Sequence, residues 1–222
     1  MRIILFGSSG MVGQAVLREC LMDPRIDKVL SMVRGTSGLH HAKLDERVHS
    51  DFLDFSSLQQ TWRGYDACFY CLGVSSAGMN ERDYRRVTFD FTLAAARLLA
   101  QLNPAMTFVY VSGAGTDSTE RGRSMWARVK GATENALLAL PFKAVMFRPG
   151  VIIPLHGIRS KTRSYRMFYA ATRPLWGLLR AVWPNAVSTS EQVGRAMIAA
   201  ARDGTSQPIM EARDINRVGK SV

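Results

Sequence analysis

At 222 residues, with 47% hydrophobic and 21% charged side chains, the chain is long enough for one large core and too apolar for a disordered segment. Its three cysteines, Cys20, Cys68 and Cys71, are too few for a disulfide scaffold, and Ile3 to Phe6 is too short for a signal core before the glycines begin. The 29 Lys and Arg against 18 Asp and Glu leave a net charge of +11, an excess that points to an anionic ligand, a membrane surface or a nucleic acid.

The first element is a short apolar strand, Arg2 to Phe6, of the kind buried on both faces of a parallel sheet. It runs into Gly7-Ser8-Ser9-Gly10-Met11-Val12-Gly13, and a helix follows from Met11 to Met22 with Val12, Ala15, Val16 and Leu17 at helical spacing. Asp23-Pro24 stops that helix, and Lys28 to Val33 is a second apolar strand. A strand, a glycine turn, a helix and a strand in this order make a dinucleotide-binding unit. The glycines allow a tight turn and close backbone approach to a pyrophosphate, and the helix offers its unpaired N–H groups.

The end of the second strand bears on which dinucleotide is held. An acid about 20 residues beyond the glycines suits the ribose hydroxyls of NAD, whereas an arginine suits the 2′-phosphate of NADP. No acid lies between Asp27 and Asp45, and Arg34 is followed by Gly35-Thr36-Ser37-Gly38. NADP is the expected cofactor, with NAD the alternative, and a solvated strand-end arginine the reading in which Arg34 binds nothing.

The alternation continues without a linker. Arg47 to Ser50 reads as a third strand, followed by Asp51-Phe52 and a short helix from Ser56 to Trp62. Asp66 to Leu72 is a fourth strand ending at Gly73. Its Cys68 and Cys71, an odd number of residues apart, point to opposite faces and cannot share a metal or a disulfide. The four histidines show no ligand spacing, so no metal site is expected. A long helix is predicted from about Glu81 to Leu102, a fifth strand over Met106 to Val111, a helix over Ser124 to Leu140, and a sixth strand over Phe142 to Phe147 ending at Arg148-Pro149-Gly150. Leu98 to Thr116, the longest uncharged stretch, is interrupted by Asn103-Pro104 and by Gly113-Ala114-Gly115, so it does not read as a membrane span. Ser190 to Asp203 is an amphipathic helix, and Gln207 to Met210 a further strand. The pattern predicts an α/β fold with a doubly wound parallel sheet and ligands at the carboxyl ends of its strands. The expected setting is soluble, reducing and cytoplasmic.

The ordered strand-end motifs carry a resemblance. Gly7 to Gly13, Asp51-Phe52, Cys71-Leu72-Gly73, Val111-Ser112-Gly113-Ala114-Gly115, Lys130 with Glu134, and Arg148-Pro149-Gly150 together resemble the atypical, extended short-chain dehydrogenase/reductases, with the Tat-interacting-protein-like oxidoreductases as the nearest branch. The resemblance implies an NAD(P)-binding Rossmann fold over 1–222, with 151–188 as a small basic substrate-covering lobe. It implies that Gly7, Ser8, Ser9, Gly10, Met11, Val12 and Gly13 hold the pyrophosphate and that Asp51 and Phe52 border the adenine. Leu72, Gly73 and Val74 would lie along the ribose and pyrophosphate, and Pro149, Gly150 and Val151 by the nicotinamide. Ser112 matches the hydroxyl that polarises a substrate carbonyl, and Lys130 the lysine that holds the nicotinamide ribose.

In that family a catalytic tyrosine lies one helical turn before the lysine. Here the position is Trp126, whose indole donates a hydrogen bond but does not titrate usefully. Tyr84, Tyr165, Tyr169 or His156 is the candidate to supply the missing proton. Otherwise Trp126 is a packing surface, Ser112 caps its loop, and the chain is a silent NADP-binding or redox-sensing module.

No acid lies between Glu134 and Glu191, while eight Lys and Arg fall in that interval. From Gly157 to Asn185 the cations alternate with aromatic and aliphatic residues. The readings are a lid over an unidentified small substrate, or a basic amphipathic helix on anionic lipid. No signature of specific nucleic-acid binding accompanies the charge.

Overall fold

The computed structural model describes residues 1–158, 176 and 182–220. Seven strands form one parallel sheet in the order β3-β2-β1-β4-β5-β6-β9: β1 Arg2–Phe6, β2 Lys28–Val33, β3 Leu44–Val48, β4 Ala67–Tyr70, β5 Thr107–Val111, β6 Lys143–Arg148 and β9 Ile209–Glu211. The order reverses between β1 and β4, which opens a crevice at their carboxyl ends where such sheets bind ligands. The expected doubly wound α/β sheet is thus borne out. Its central strands are mostly apolar and buried because helices cover both faces.

Helix α1 (Met11–Met22) and the later helices α5 (Ser190–Asp203) and α6 (Ala212–Lys220) lie on one face, packed with Ile3, Leu5, Phe69 and Phe147. The other face carries α3 (Phe91–Leu102) and an aromatic cluster in which Phe6 meets Phe52, Phe55, Trp62 and Tyr70 with ring centroids 4.9–6.4 Å apart. Cys68 belongs to this second cluster and Cys71 packs against the first, so the two thiols face opposite sides, as their spacing requires. Cys20, Cys68 and Cys71 are all free.

Several elements differ from expectation. The third strand begins at Leu44, three residues early, because it is an edge strand whose polar Asp45, Glu46 and Arg47 hide the apolar alternation. The helix expected over 81–102 is divided. Asn80 caps α2 (Glu81–Arg85), accepting from the Asp83 amide at 2.9 Å; a π turn spans Arg86–Asp90; α3 follows. Within the π turn the Thr88 carbonyl accepts the Thr92 hydroxyl at 2.6 Å, an alternative partner of the kind that disturbs a regular helix. The short helix after Asp54 is one 3₁₀ turn, Ser56–Leu58. Helix α6 and a two-stranded parallel pair, β7 (Val151–Ile153) with β8 (Val187–Thr189), are unanticipated. A side chain at Gly150 would stand 2.2 Å from the Ala186 carbonyl oxygen, so close approach there needs glycine. Most of the basic lobe expected over 151–188, with Tyr165 and Tyr169, lies outside the described residues.

Candidate functional site

The glycine turn combines two demands. Gly7 has φ +81°, and a Cβ on it would lie 2.6 Å from the Cys71 carbonyl carbon and the Leu72 nitrogen. A Cβ on Gly13 would lie 2.0 Å from the Gly7 oxygen. These two glycines are therefore required by the chain's own packing. Gly10 differs: its backbone is extended, at φ −83° and ψ 165°, and a Cβ there would meet only the Gly7 oxygen, at 3.4 Å. Gly10 is the N-cap of α1, no side chain caps that helix, and its first turn holds no acid. Open space in front of uncapped N–H groups is the shape and polarity that a pyrophosphate fits.

The neighbouring side chains divide between outward and inward roles. Ser9 is exposed and its carbonyl accepts from Gln14 Nε2 at 3.0 Å. Ser8 is buried, and its Oγ accepts from Ser31 Oγ at 2.7 Å, which ties the turn to β2. Met11 and Val12 are half-buried on the first turn of α1. Arg34 is exposed just past the end of β2. Asp51 is exposed with its Oδ1 accepting from the Leu53 amide at 2.9 Å, whereas Phe52 is 4% exposed inside the aromatic cluster. Leu72 is half-buried; Gly73 and Val74 are exposed beyond β4. Pro149 is buried, and its carbonyl accepts from the Ala114 amide at 2.9 Å, joining the loop after β5 to the loop after β6; Gly150 is half-buried and Val151 exposed.

At the carboxyl end of β5, Ser112 is 6% exposed and its Oγ donates to the Phe147 carbonyl at 3.1 Å. Helix α4 (Met125–Leu138) carries Trp126 and Lys130 one turn apart. The Lys130 ammonium donates to the Ser112 carbonyl and, at 3.5 Å, to that of Val111, and stands 6.0 Å from the centroid of the Tyr110 ring. Burial lowers its pKa to about 8, against an opposing contribution from Glu134. The Trp126 indole covers the loop after β5: its Cη2 lies 3.5 Å from where a Cβ on Gly115 would stand.

Of the four expected substitutes for the tyrosine, Tyr84 is 2% exposed and burial raises its pKa. His156 sits on the turn after β7 with φ 56°, its Nε2 3.1 Å from Glu191 Oε2. The other two are the tyrosines outside the described residues.

Three features escaped the sequence. Glu134, fully buried, is gripped by the Arg148 guanidinium, whose Nε donates to Oε1 at 3.1 Å; Arg148 also reaches Ser118 and Glu211, so one arginine ties α4 to β6 and β9. Their pairing had no short-range sequence signal. Glu19, nearly buried on α1, is paired with Arg18 and Arg195. Glu46, in the polar edge strand, accepts from the Ser37 amide at 2.9 Å.

No family model matches the chain. Among curated proteins, it is 26% identical over 156 residues to protein FMP52, mitochondrial, of Meyerozyma guilliermondii, covering 69% of this chain and 66% of that protein. It is 28% identical over 234 residues to D-lysergyl-peptide-synthetase subunit 3 of Claviceps purpurea, covering 86% of this chain and 14% of that protein. The chain thus spans just under two thirds of the first relative and about a seventh of the second. The FMP52 relatives are named mitochondrial, which overturns the expectation of a cytoplasmic setting; free thiols and a lack of address-like apolar runs do not separate the two compartments. Among the described residues no helix is long and apolar enough to cross a membrane. Among solved structures, the dTDP-glucose 4,6-dehydratase DesIV of Streptomyces venezuelae, determined with NAD and TYD bound, superposes with a TM-score of 0.69 at 15% identity over 100% of this chain and 80% of that one. The resemblance read from the strand-end motifs is borne out at the level of the fold: this chain shares its fold with the dehydratase DesIV, with a UDP-N-acetylglucosamine 4-epimerase of Methanobrevibacter ruminantium and with the enzyme WbmH of Bordetella bronchiseptica, determined with NAD+.

Proposed function

We propose that the protein binds a nicotinamide dinucleotide at the crevice between β1 and β4 and acts as an oxidoreductase on a small substrate held near Ser112 and Lys130. The observation that carries the reading is the glycine turn. Gly7 and Gly13 are fixed by packing, while Gly10 leaves an open space before the uncapped start of α1. Arg34, exposed at the end of β2, is the residue to meet a 2′-phosphate, which favours NADP. When bound, the dinucleotide supplies or accepts the hydride.

The chain's own residues then have the proton to manage. Lys130, with its pKa lowered to about 8, is the titratable group next to Ser112, and it takes the role that a tyrosine holds in the resembled family. Its ammonium spends donors on the Ser112 and Val111 carbonyls and keeps one free. The Ser112 hydroxyl turns from Phe147 to a substrate oxygen to polarise it. A calorimetric titration with NADP and NAD tests the binding, and nucleotide turnover over a panel of carbonyls and alcohols tests the chemistry. Activity that collapses in Lys130→Met and falls in Ser112→Ala supports this reading.

The alternative is a silent NADP-binding module. It is favoured by Trp126 over Gly115 and by the commitment of the Ser112 hydroxyl proton to the Phe147 carbonyl. Tight binding without turnover on any substrate selects it.

A further inference from the structure

Lys130, half-buried on the second turn of α4, reaches the carboxyl end of β5 and donates to the Ser112 carbonyl and, at 3.5 Å, to that of Val111. Among the described residues it forms no ion pair, because Glu134, one turn further along the helix, is held by the Arg148 guanidinium. Tyr110, whose ring centroid is 6.0 Å from the Lys130 nitrogen, stays neutral, since burial raises its pKa. One turn earlier on α4 stands Trp126, which carries no charge to balance the ammonium.

A buried ammonium without a carboxylate beside it is disfavoured against the neutral amine. Burial accordingly lowers the Lys130 pKa to about 8, so free amine is present near neutral pH. The neutral form also suits its neighbours. It has two N–H donors and one lone pair; the two backbone carbonyls accept the donors and leave the lone pair for an electrophile. We propose that Lys130 is a nucleophile that captures small aldehydes as a protonated imine beside Ser112. The lone pair forms a C–N bond to the aldehyde carbon as the carbonyl pair moves to oxygen. That oxygen then leaves as water, taking one hydrogen from the nitrogen and one proton from solvent. The nitrogen keeps one N–H, which the Ser112 carbonyl is placed to accept, so a fixed backbone dipole meets the new charge. The step uses no dinucleotide and goes beyond the oxidoreductase reading.

The test is reductive trapping on the full chain with propanal and sodium cyanoborohydride, whose hydride adds to the imine carbon and leaves a propyl group on the nitrogen. Peptide mass spectrometry locates the label. At neutral pH Lys130 is expected to be propylated about tenfold faster than the exposed Lys143 and Lys220, because a larger share of it is free amine. Labelling of Lys130 no faster than of those two overturns the proposal. The preference is expected to vanish when the chain is unfolded in guanidinium chloride; a preference that survives unfolding overturns the proposal as well, since it would not arise from the folded site. Failure to bind either dinucleotide removes the oxidoreductase reading and leaves this one standing, whereas nucleotide turnover by a chain whose Lys130 escapes propylation does the reverse.

Discussion

The turn after β1 and the loop after β5 lie at the same edge of the sheet and are built in different ways. The first is a backbone device: Gly7 and Gly13 sit within 2.0–2.6 Å of neighbouring main chain, measured from where a Cβ would be, so main-chain packing shapes the turn. The second is a side-chain device, in which Ser112, Lys130 and Trp126 depend on identity and placement. Substitution of one residue leaves a backbone site intact but rewrites the chemistry of a side-chain site. The backbone end keeps the glycine pattern of the resembled family, and the side-chain end is where the chain departs from it, at Trp126.

The largest effect is expected where the side-chain end is anchored. Arg148→Ala leaves the fully buried Glu134 without its partner, a loss of about 3–5 kcal/mol in denaturant unfolding. Adding Glu134→Leu is expected to recover much of it, whereas additive losses would contradict the pairing. At the backbone end, Gly13→Ala forces a methyl onto the Gly7 carbonyl and is expected to cost about 3 kcal/mol, with dinucleotide binding lost as well.

A pH experiment sharpens the side-chain end further. The Lys130 pKa in the folded chain, about 8, lies below its ordinary value of 10.5, so the unfolded state holds more protons between those values. Stability contributed by this site therefore rises with pH across that window, and the penalty of burying the charged amine is fully present below about pH 8. Lys130→Met removes the penalty: its stability advantage over the native chain should shrink as pH is raised from 8 to 10.5, and a constant difference would contradict the burial. The smallest effect is expected from Trp126→Phe, which keeps an aromatic ring over Gly115 and should change stability by about 1 kcal/mol or less. Trp126→Tyr separates the two functional readings, since gain of turnover marks a site that lacks only its proton carrier.

The sequence made the sheet legible because its central strands are continuous apolar runs ending in glycine, serine or proline, a pattern that buried parallel strands share. It exposed the departure at Trp126 because one helical turn fixes that position relative to Lys130. It hid β3, whose polar Asp45-Glu46-Arg47 suits an edge, and with it the carboxylate that pins Ser37. It also hid the short β7 and β8, whose pairing joins residues 151–153 to 187–189 across a long interval, and the buried pair of Arg148 and Glu134. Each of these depends on contacts distant in sequence, which local periodicity does not encode.

Gly10 offers the most direct test of the central claim, because its backbone is extended and its surroundings are open. A valine there should leave the fold intact while filling the space before the start of α1. Calorimetric titration of Gly10→Val with NADP and NAD, alongside its thermal unfolding, is expected to show a near-native melting temperature and loss of dinucleotide binding. Undiminished binding in a folded Gly10→Val protein would contradict the placement of the pyrophosphate on this turn.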